Sequence, residues 1–261
     1  MDEKYKKFVN EVDFSRQLLG IGLTSLRKAD FSTRGLYFQA LSSISLGLER
    51  LLKLCLILDD YNKTGQYPSR KVLKDYGHKL TELFNLAQKK TKNAPELNQI
   101  QSNTLELLTK FATSSRYSNI DFITNDFEND PIKEWHTEID EKIWSVMLKP
   151  KDINRIIKKC EEVRSFVKDL PIFVGGYEDE MGNEIKDAGE LYYLNTRSSL
   201  LAGYRVLVVI YIIEAILKIL QTKIDETHNN DFCMLELGRI YATITYGTDK
   251  EKIRRKNFIR R

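Results

Sequence analysis

The sequence predicts an all-α protein, on three observations. Apolar residues Tyr37, Leu41, Ile44, Leu48, Leu51, Cys55 and Leu58 recur at steps of four and three, the period of one helix face. Several later segments repeat that spacing, and each stretch is separated from the next by turn-forming residues. Finally, five prolines and thirteen glycines in 261 residues, with 42% hydrophobic and 30% charged residues, give the balance of a helix-rich globular chain.

A first helix is expected around residues 8 to 26. The second carries the strong stripe, with Ser32 as a candidate N-cap and the Asn62–Pro68 stretch as its stop. Ser43 and Gly47, four apart, would let a neighbouring helix approach closely along that face. A third helix is expected from about Ser69, placing Val72, Tyr76, Leu80, Leu83 and Ala87 on one side and closing at Asn93–Pro95. The next uses Leu97, Ile100, Thr104, Leu107 and Phe111. These four suit an antiparallel bundle with short or moderate loops.

Asp130-Pro131 reads as an N-cap followed by a first-turn proline, ahead of Ile132, Trp135, Ile139, Ile143 and Val146. Another helix, from near Asp152, uses Ile153, Ile156, Cys160, Val163 and Val167, and Pro171 stops it. Residues 172 to 195 have no helical period and are rich in glycine and acids, so an irregular loop or small hairpin turning near Met181-Gly182-Asn183 is expected. From about Thr196 to Asp225 the chain is apolar nearly all round, which predicts a central buried helix. A last helix is expected from Asp231 to about Thr245. The organisation is therefore a helical bundle over 1–127, further helices over 128–249 and a basic tail over 250–261.

Composition narrows the function classes. Cys55, Cys160 and Cys233 are odd in number, far apart and within apolar helical patterns, so neither a disulfide framework nor a zinc knuckle is indicated. That usage, and a charged N-terminus without a secretory pattern, lead to a cytoplasmic expectation. The apolar run Val206–Ile213 is eight residues, against about 20 needed to span a bilayer, so no membrane partner is expected. The net charge of +4 resides in the tail: Lys250 to Arg261 contributes +6, and residues 1–249 sum to −2. Electrostatic attraction to nucleic acid or anionic lipid is therefore expected at the C-terminus, where Ile253, Phe258 and Ile259 are interspersed. The tail either grips RNA or an acidic partner, or is a frayed solubilising end.

No metal and no cofactor is expected. His136 lacks the His-Glu-x-x-His spacing, and the Asp179–Glu184 segment has glycine at the wrong place for a calcium loop. Arg205 and Glu214, inside the most apolar helix, require partners if buried.

Three spaced motifs remain: Gly47-Leu48-Glu49-Arg50-Leu51-Leu52-Lys53, then Gly77-His78-Lys79-Leu80, then Arg116-Tyr117 through Asp121. Over roughly residues 31 to 127 this order resembles the HEPN superfamily, small all-α bundles that include metal-independent ribonucleases of prokaryotic defence and toxin systems, and members that bind or dimerise without catalysis. The resemblance implies an HEPN-like antiparallel bundle, an RNA or nucleotide ligand and a homodimer. It places Arg116, His78 and Asp121 as the catalytic candidates and Arg50, Arg116 and Tyr117 as the nucleotide- or RNA-binding ones.

The sequence departs from that pattern. Active members carry an Arg, four to six residues, then a His; here the nearest approach, Arg70 to His78, has seven between, and Ser118 stands where one branch has proline. Catalysis is thereby left uncertain, and an enzyme of this kind would be a metal-independent endoribonuclease. Metal-free RNA cleavage needs a base for the 2′-hydroxyl and an acid or cation for the leaving oxygen. Arg116 could supply the cation and His78 the proton transfer. Equally, His78 could cap local packing with Asp75 or Glu82, and Arg116 could brace a loop. Glu49 and Lys53 form an ordinary i,i+4 pair, whereas Arg50 is either part of a solvated stripe or the partner of Asp121 or a phosphate. The alternative function is a non-catalytic helical protein with a protein partner, as an immunity or scaffold component.

Overall fold

The computed structural model describes residues 3–115, 118–124, 130–167, 176–227 and 236–259. Their regular structure is helical throughout, apart from one isolated bridge between Glu178 and Glu184. Helices α1 (Glu3–Leu26) and α2 (Arg34–Thr64) form the most extensive helix pair. All seven apolar positions that define the α2 stripe are buried. The close approach expected at Gly47 occurs against α1, where a Cβ would lie 2.7 Å from Leu19 Cγ. Thr33, not Ser32, occupies the α2 N-cap position, because the Asp30 carboxylate binds the Ser32 and Thr33 amides and fixes the preceding turn.

The single helix expected from Ser69 is instead two, α3 (Arg70–Asp75) and α4 (Leu80–Lys89). Gly77 adopts φ +69°, a left-handed conformation that ends a helix and that residues with a Cβ disfavour. Leu80, Leu83 and Ala87 are buried as expected, but Val72, ahead of the break, is exposed. Helix α5 (Gln99–Thr113) opens with a reciprocal capping box between Asn98 and Gln101. A short helix α6 (Ser118–Ile123) follows.

Asp130 accepts a hydrogen bond from the Ile132 amide at 2.8 Å, and Pro131 starts α7 (Pro131–Trp135) as its sequence predicts. The helix then widens into two π-helical turns, His136–Asp140 and Ile143–Met147. Each adds a residue to the turn, so the expected stripe loses phase: Ile132, Trp135, Ile139 and Ile143 are buried while Val146 is exposed. Helix α8 (Pro150–Val167) buries only Ile156 and Cys160 fully.

Helix α9 (Ala188–Asp225) begins eight residues before the expected Thr196. Asp187 caps it by accepting from the Glu190 amide at 2.9 Å, a start that the glycine and acid content around it obscures. The hairpin turn at Gly182 is present, with φ +80°. By length and composition α9 could cross a membrane, and 78% of its most apolar stretch is buried inside the protein. Its Val206, Val209, Ile210, Ile213 and Ile216 are fully inaccessible, making it the central helix. Of the expected last helix, residues 231–235 lie outside the described residues. Beyond them are α10 (Leu237–Ile240) and α11 (Ala242–Thr245).

The basic tail is a folded strap. Helix α12 (Asp249–Arg254) has its own Thr248–Glu251 capping box. Lys252 pairs with Glu214 of α9, Arg255 donates to the carbonyls of Thr243 and Ile244, and Phe258 is fully buried with its amide donating to Thr24 Oγ1 at 3.0 Å. This corrects the expectation of a frayed end: Phe258 gives up water for the core and two of the tail's charges are consumed internally, while Ile259 stays exposed. A single hydrophobic cluster runs from Tyr5 to Phe258 through all three sequence regions.

Candidate functional site

The left-handed turn at Gly77 directs His78 back onto α2. There Glu49 Oε1 accepts from His78 Nδ1 at 2.9 Å and from Lys53 Nζ at 2.9 Å. Glu49 is largely covered, at 16% side-chain exposure, whereas His78 is 73% exposed. Since a carboxylate only accepts, His78 donates through Nδ1 and presents Nε2 to solvent. One turn on, the Thr81 amide donates to Thr109 Oγ1 at 3.2 Å, and Thr109 donates to the Leu105 carbonyl. The start of α4 is thus fastened to the last two turns of α5.

The first two sequence motifs therefore meet, and the third begins three residues past α5. Arg116 and Tyr117 lie outside the described residues. Asp121 is half-buried in the first turn of α6. Arg50 is oriented differently: it pairs with Glu11 of α1, and its guanidinium lies 4.7 Å over the Phe14 ring. Arg50 thus has Glu11 and not Asp121 as its acidic partner, because adjacent positions on α2 point about 100° apart and residue 50 faces α1. His78 likewise uses Glu49 and not Asp75 or Glu82, and Lys79 Nζ occupies Glu82 at 2.9 Å. Chemically, the Glu49–His78 dyad can accept a proton at Nε2 and, once protonated there, donate to a phosphate oxygen.

A second polar assembly lies wholly inside the protein. Arg205 and Asp140 are both inaccessible to solvent, with Arg205 Nε donating to Asp140 Oδ1 at 2.8 Å and NH1 donating to the Ala29 carbonyl at 3.0 Å. Trp135 Nε1 also donates to Asp140, at 3.2 Å, across the first π turn. Burial alone would raise the Asp140 carboxyl, but the charge and hydrogen bonds of Arg205, with the His136 ring 3.7 Å away, outweigh it and leave the group below the usual carboxylate range. Arg205 is desolvated too, and the opposing pull of Asp140 still holds it above its ordinary value. The rim consists of His136, whose Nε2 is 3.2 Å from Glu141 Oε1, and Arg197, which donates to the same oxygen at 2.7 Å. This assembly supplies the structural partner expected for Arg205 and ties the α1–α2 turn, the π turn and α9 together; it is a brace.

A third group, Asp59, receives Lys63, Lys90 and Lys223 Nζ at 2.6, 3.1 and 3.1 Å, joining α2, α4 and α9. Desolvation pushes its carboxyl up, and the three lysines together bring it below the normal value. Sequence reasoning missed both buried acids. The available signal was Asp59 and Asp140 each falling beside a stripe residue, Leu58 and Ile139, of a strongly apolar pattern.

Cys55 and Cys160 are buried, which raises both thiols and removes them as nucleophiles; Cys233 lies outside the described residues. Among the described residues, no group of three or more His, Cys, Asp or Glu is placed to hold a metal. Fold and site together define an all-helical protein built on a central buried helix, with a carboxylate–histidine pair at its surface. In comparison with protein-family models, curated proteins and solved structures, the chain has no match.

Proposed function

We propose that this chain is an HEPN-like cytoplasmic module that binds RNA or a nucleotide, acts as a homodimer and belongs with prokaryotic defence or stress systems. The observation that carries the reading is the Glu49–His78 contact. It joins motifs 29 residues apart around an exposed imidazole, at the end of the bundle where α5 leads to the Arg116–Asp121 segment. An imidazole fixed through Nδ1 and open at Nε2, followed in sequence by an arginine, suits recognition of a phosphodiester. Catalysis is not part of the proposal, since the Arg-to-His spacing of active members is absent.

The test is binding of a short RNA and of ATP, by fluorescence anisotropy, to the wild-type chain and to the His78→Ala, Glu49→Gln and Arg116→Ala variants, with circular dichroism to verify the fold. Removal of His78 or Arg116 is expected to weaken binding by about tenfold, the loss of one charge-assisted hydrogen bond. Unaltered binding by a folded variant removes that residue from the site. Any RNA cleavage should survive chelation of divalent metals, and sedimentation should show a dimer.

A second reading, a non-catalytic protein-interaction component, is favoured by the apolar side chains that α8 leaves in water: Ile157 at 44% and Phe166 at 80% exposure. Recovery of a stoichiometric protein partner without RNA would select it.

A further inference from the structure

Helices α8 and α9 enclose a groove of about 940 Å³ that no motif in the sequence singled out. One wall is basic: Arg155, Lys158 and Lys159 are spaced three and four apart and so share a face of α8. Two local acids temper this wall without cancelling it. Glu162 pairs with Lys159 Nζ at 2.9 Å, and Asp152 makes a single 3.5 Å contact with Arg155. Lys158 has no ion pair among the described residues. The groove lining thus holds three cations against one acid, in a chain whose first 249 residues sum to −2.

The opposite wall is mixed, with Ala188, Leu191 and Leu200 apolar, yet it carries polar groups where a core helix has no need of them. From about Leu200 onward α9 is apolar on nearly every side, yet its first three turns carry Tyr192, Asn195 and Ser199 at spacings of three and four, along the groove. An aromatic ring and hydrogen-bonding amide and hydroxyl groups therefore face a row of cations across an open channel. Cations spaced along one wall suit a repeating phosphate backbone, and a half-buried ring beside them suits a stacked base. The volume stands near the upper end of the range of about 300–1,000 Å³ for small-molecule pockets, and the lining runs over two turns of α8, which favours a polymer over a single nucleotide.

We propose that the α8–α9 groove binds a single-stranded segment of RNA, its phosphates along Arg155, Lys158 and Lys159 and a base on Tyr192. This rests on the RNA reading above and deepens it by naming the ligand as an extended strand, held at a surface separate from the His78 turn. The experiment is anisotropy of a labelled single-stranded oligoribonucleotide over a salt series, with the full chain and with Arg155→Glu/Lys158→Glu, Tyr192→Ala and His78→Ala. All the groove substitutions are at surface positions, and thermal melting monitored by circular dichroism verifies that each variant folds. The double charge reversal is expected to weaken binding at least tenfold and to flatten the slope of log affinity against log salt by about 1.4, two single-strand phosphate contacts. Tyr192→Ala should cost about 5- to 150-fold, the loss of one stacked base.

The two readings fail differently. Wild-type protein without affinity for the oligomer at about 50 mM salt overturns RNA binding altogether. Wild-type protein that binds, with both groove variants binding as tightly and with the same salt slope, overturns the groove and leaves the His78 turn. Displacement of the oligomer by equimolar AMP overturns the choice of a polymer.

Discussion

Arg205 shows what a single buried charge does in this protein. Its guanidinium is inaccessible, and Asp140 supplies the compensating charge that makes this tolerable. Arg205→Met is therefore expected to destabilise by about 3–5 kcal/mol, because Asp140 remains buried and unpaired. Adding Asp140→Leu should recover much of that loss in urea denaturation. The same two acids set the acid limit. Asp140 and Asp59 both titrate below their unfolded value of about 3.9, so their stabilisation is complete above that pH and disappears as the pH falls through the lower folded values. Urea midpoints should hold steady from about pH 6 to 5 and fall below about pH 4; Asp59→Asn should reduce that acid dependence. At this scale the sequence was half legible. Arg205 stood out as a charge in an apolar helix, but Asp140 is 65 residues away and no local pattern connects the two.

The helices themselves were more legible, because burial of one face imposes a period that residues such as Leu41, Leu48 and Leu51 display openly. What escaped was where regular helix stops being regular. The helix expected from Ser69 runs straight through Gly77, and only the left-handed backbone reveals that residue as the end of α3. Gly77→Ala is expected to cost about 1–2 kcal/mol and to lower the melting temperature by a few degrees. Under the RNA reading it should weaken binding as much as His78→Ala, since the turn aims the imidazole. A melting temperature equal to wild type would show that an alternative turn forms. The π turns were equally invisible: Trp135 and Asp140 are five apart, a separation that puts side chains on different faces of a regular helix and brings them to 3.2 Å here. The small and acidic residues of 188–195 suggest a loop, whereas Asp187 caps them into α9.

For the whole molecule, the unexpected element is the strap. Read locally, Lys250–Arg261 is a positive tail; in the folded chain it completes the core. Phe258→Ala should destabilise by about 3–5 kcal/mol, while Ile259→Ala, at a half-exposed position, should stay within about 0.5 kcal/mol. Parallel denaturation of the two variants separates a packed strap from an incidental contact, and equal stabilities would count against the packing described. Sequence could not foresee this docking because its receiving surface, around Thr24 on α1, lies 234 residues earlier.

That separation has a consequence in time. Helix α1 leaves the ribosome early, but the residue that seals its far side is added 234 positions later. At synthesis rates of about 5–20 residues per second the interval is roughly 12 to 47 s. Throughout it the α1 surface around Gly20 and Thr24 lacks its cover, a window in which a chaperone or a second nascent chain could occupy the place reserved for Phe258.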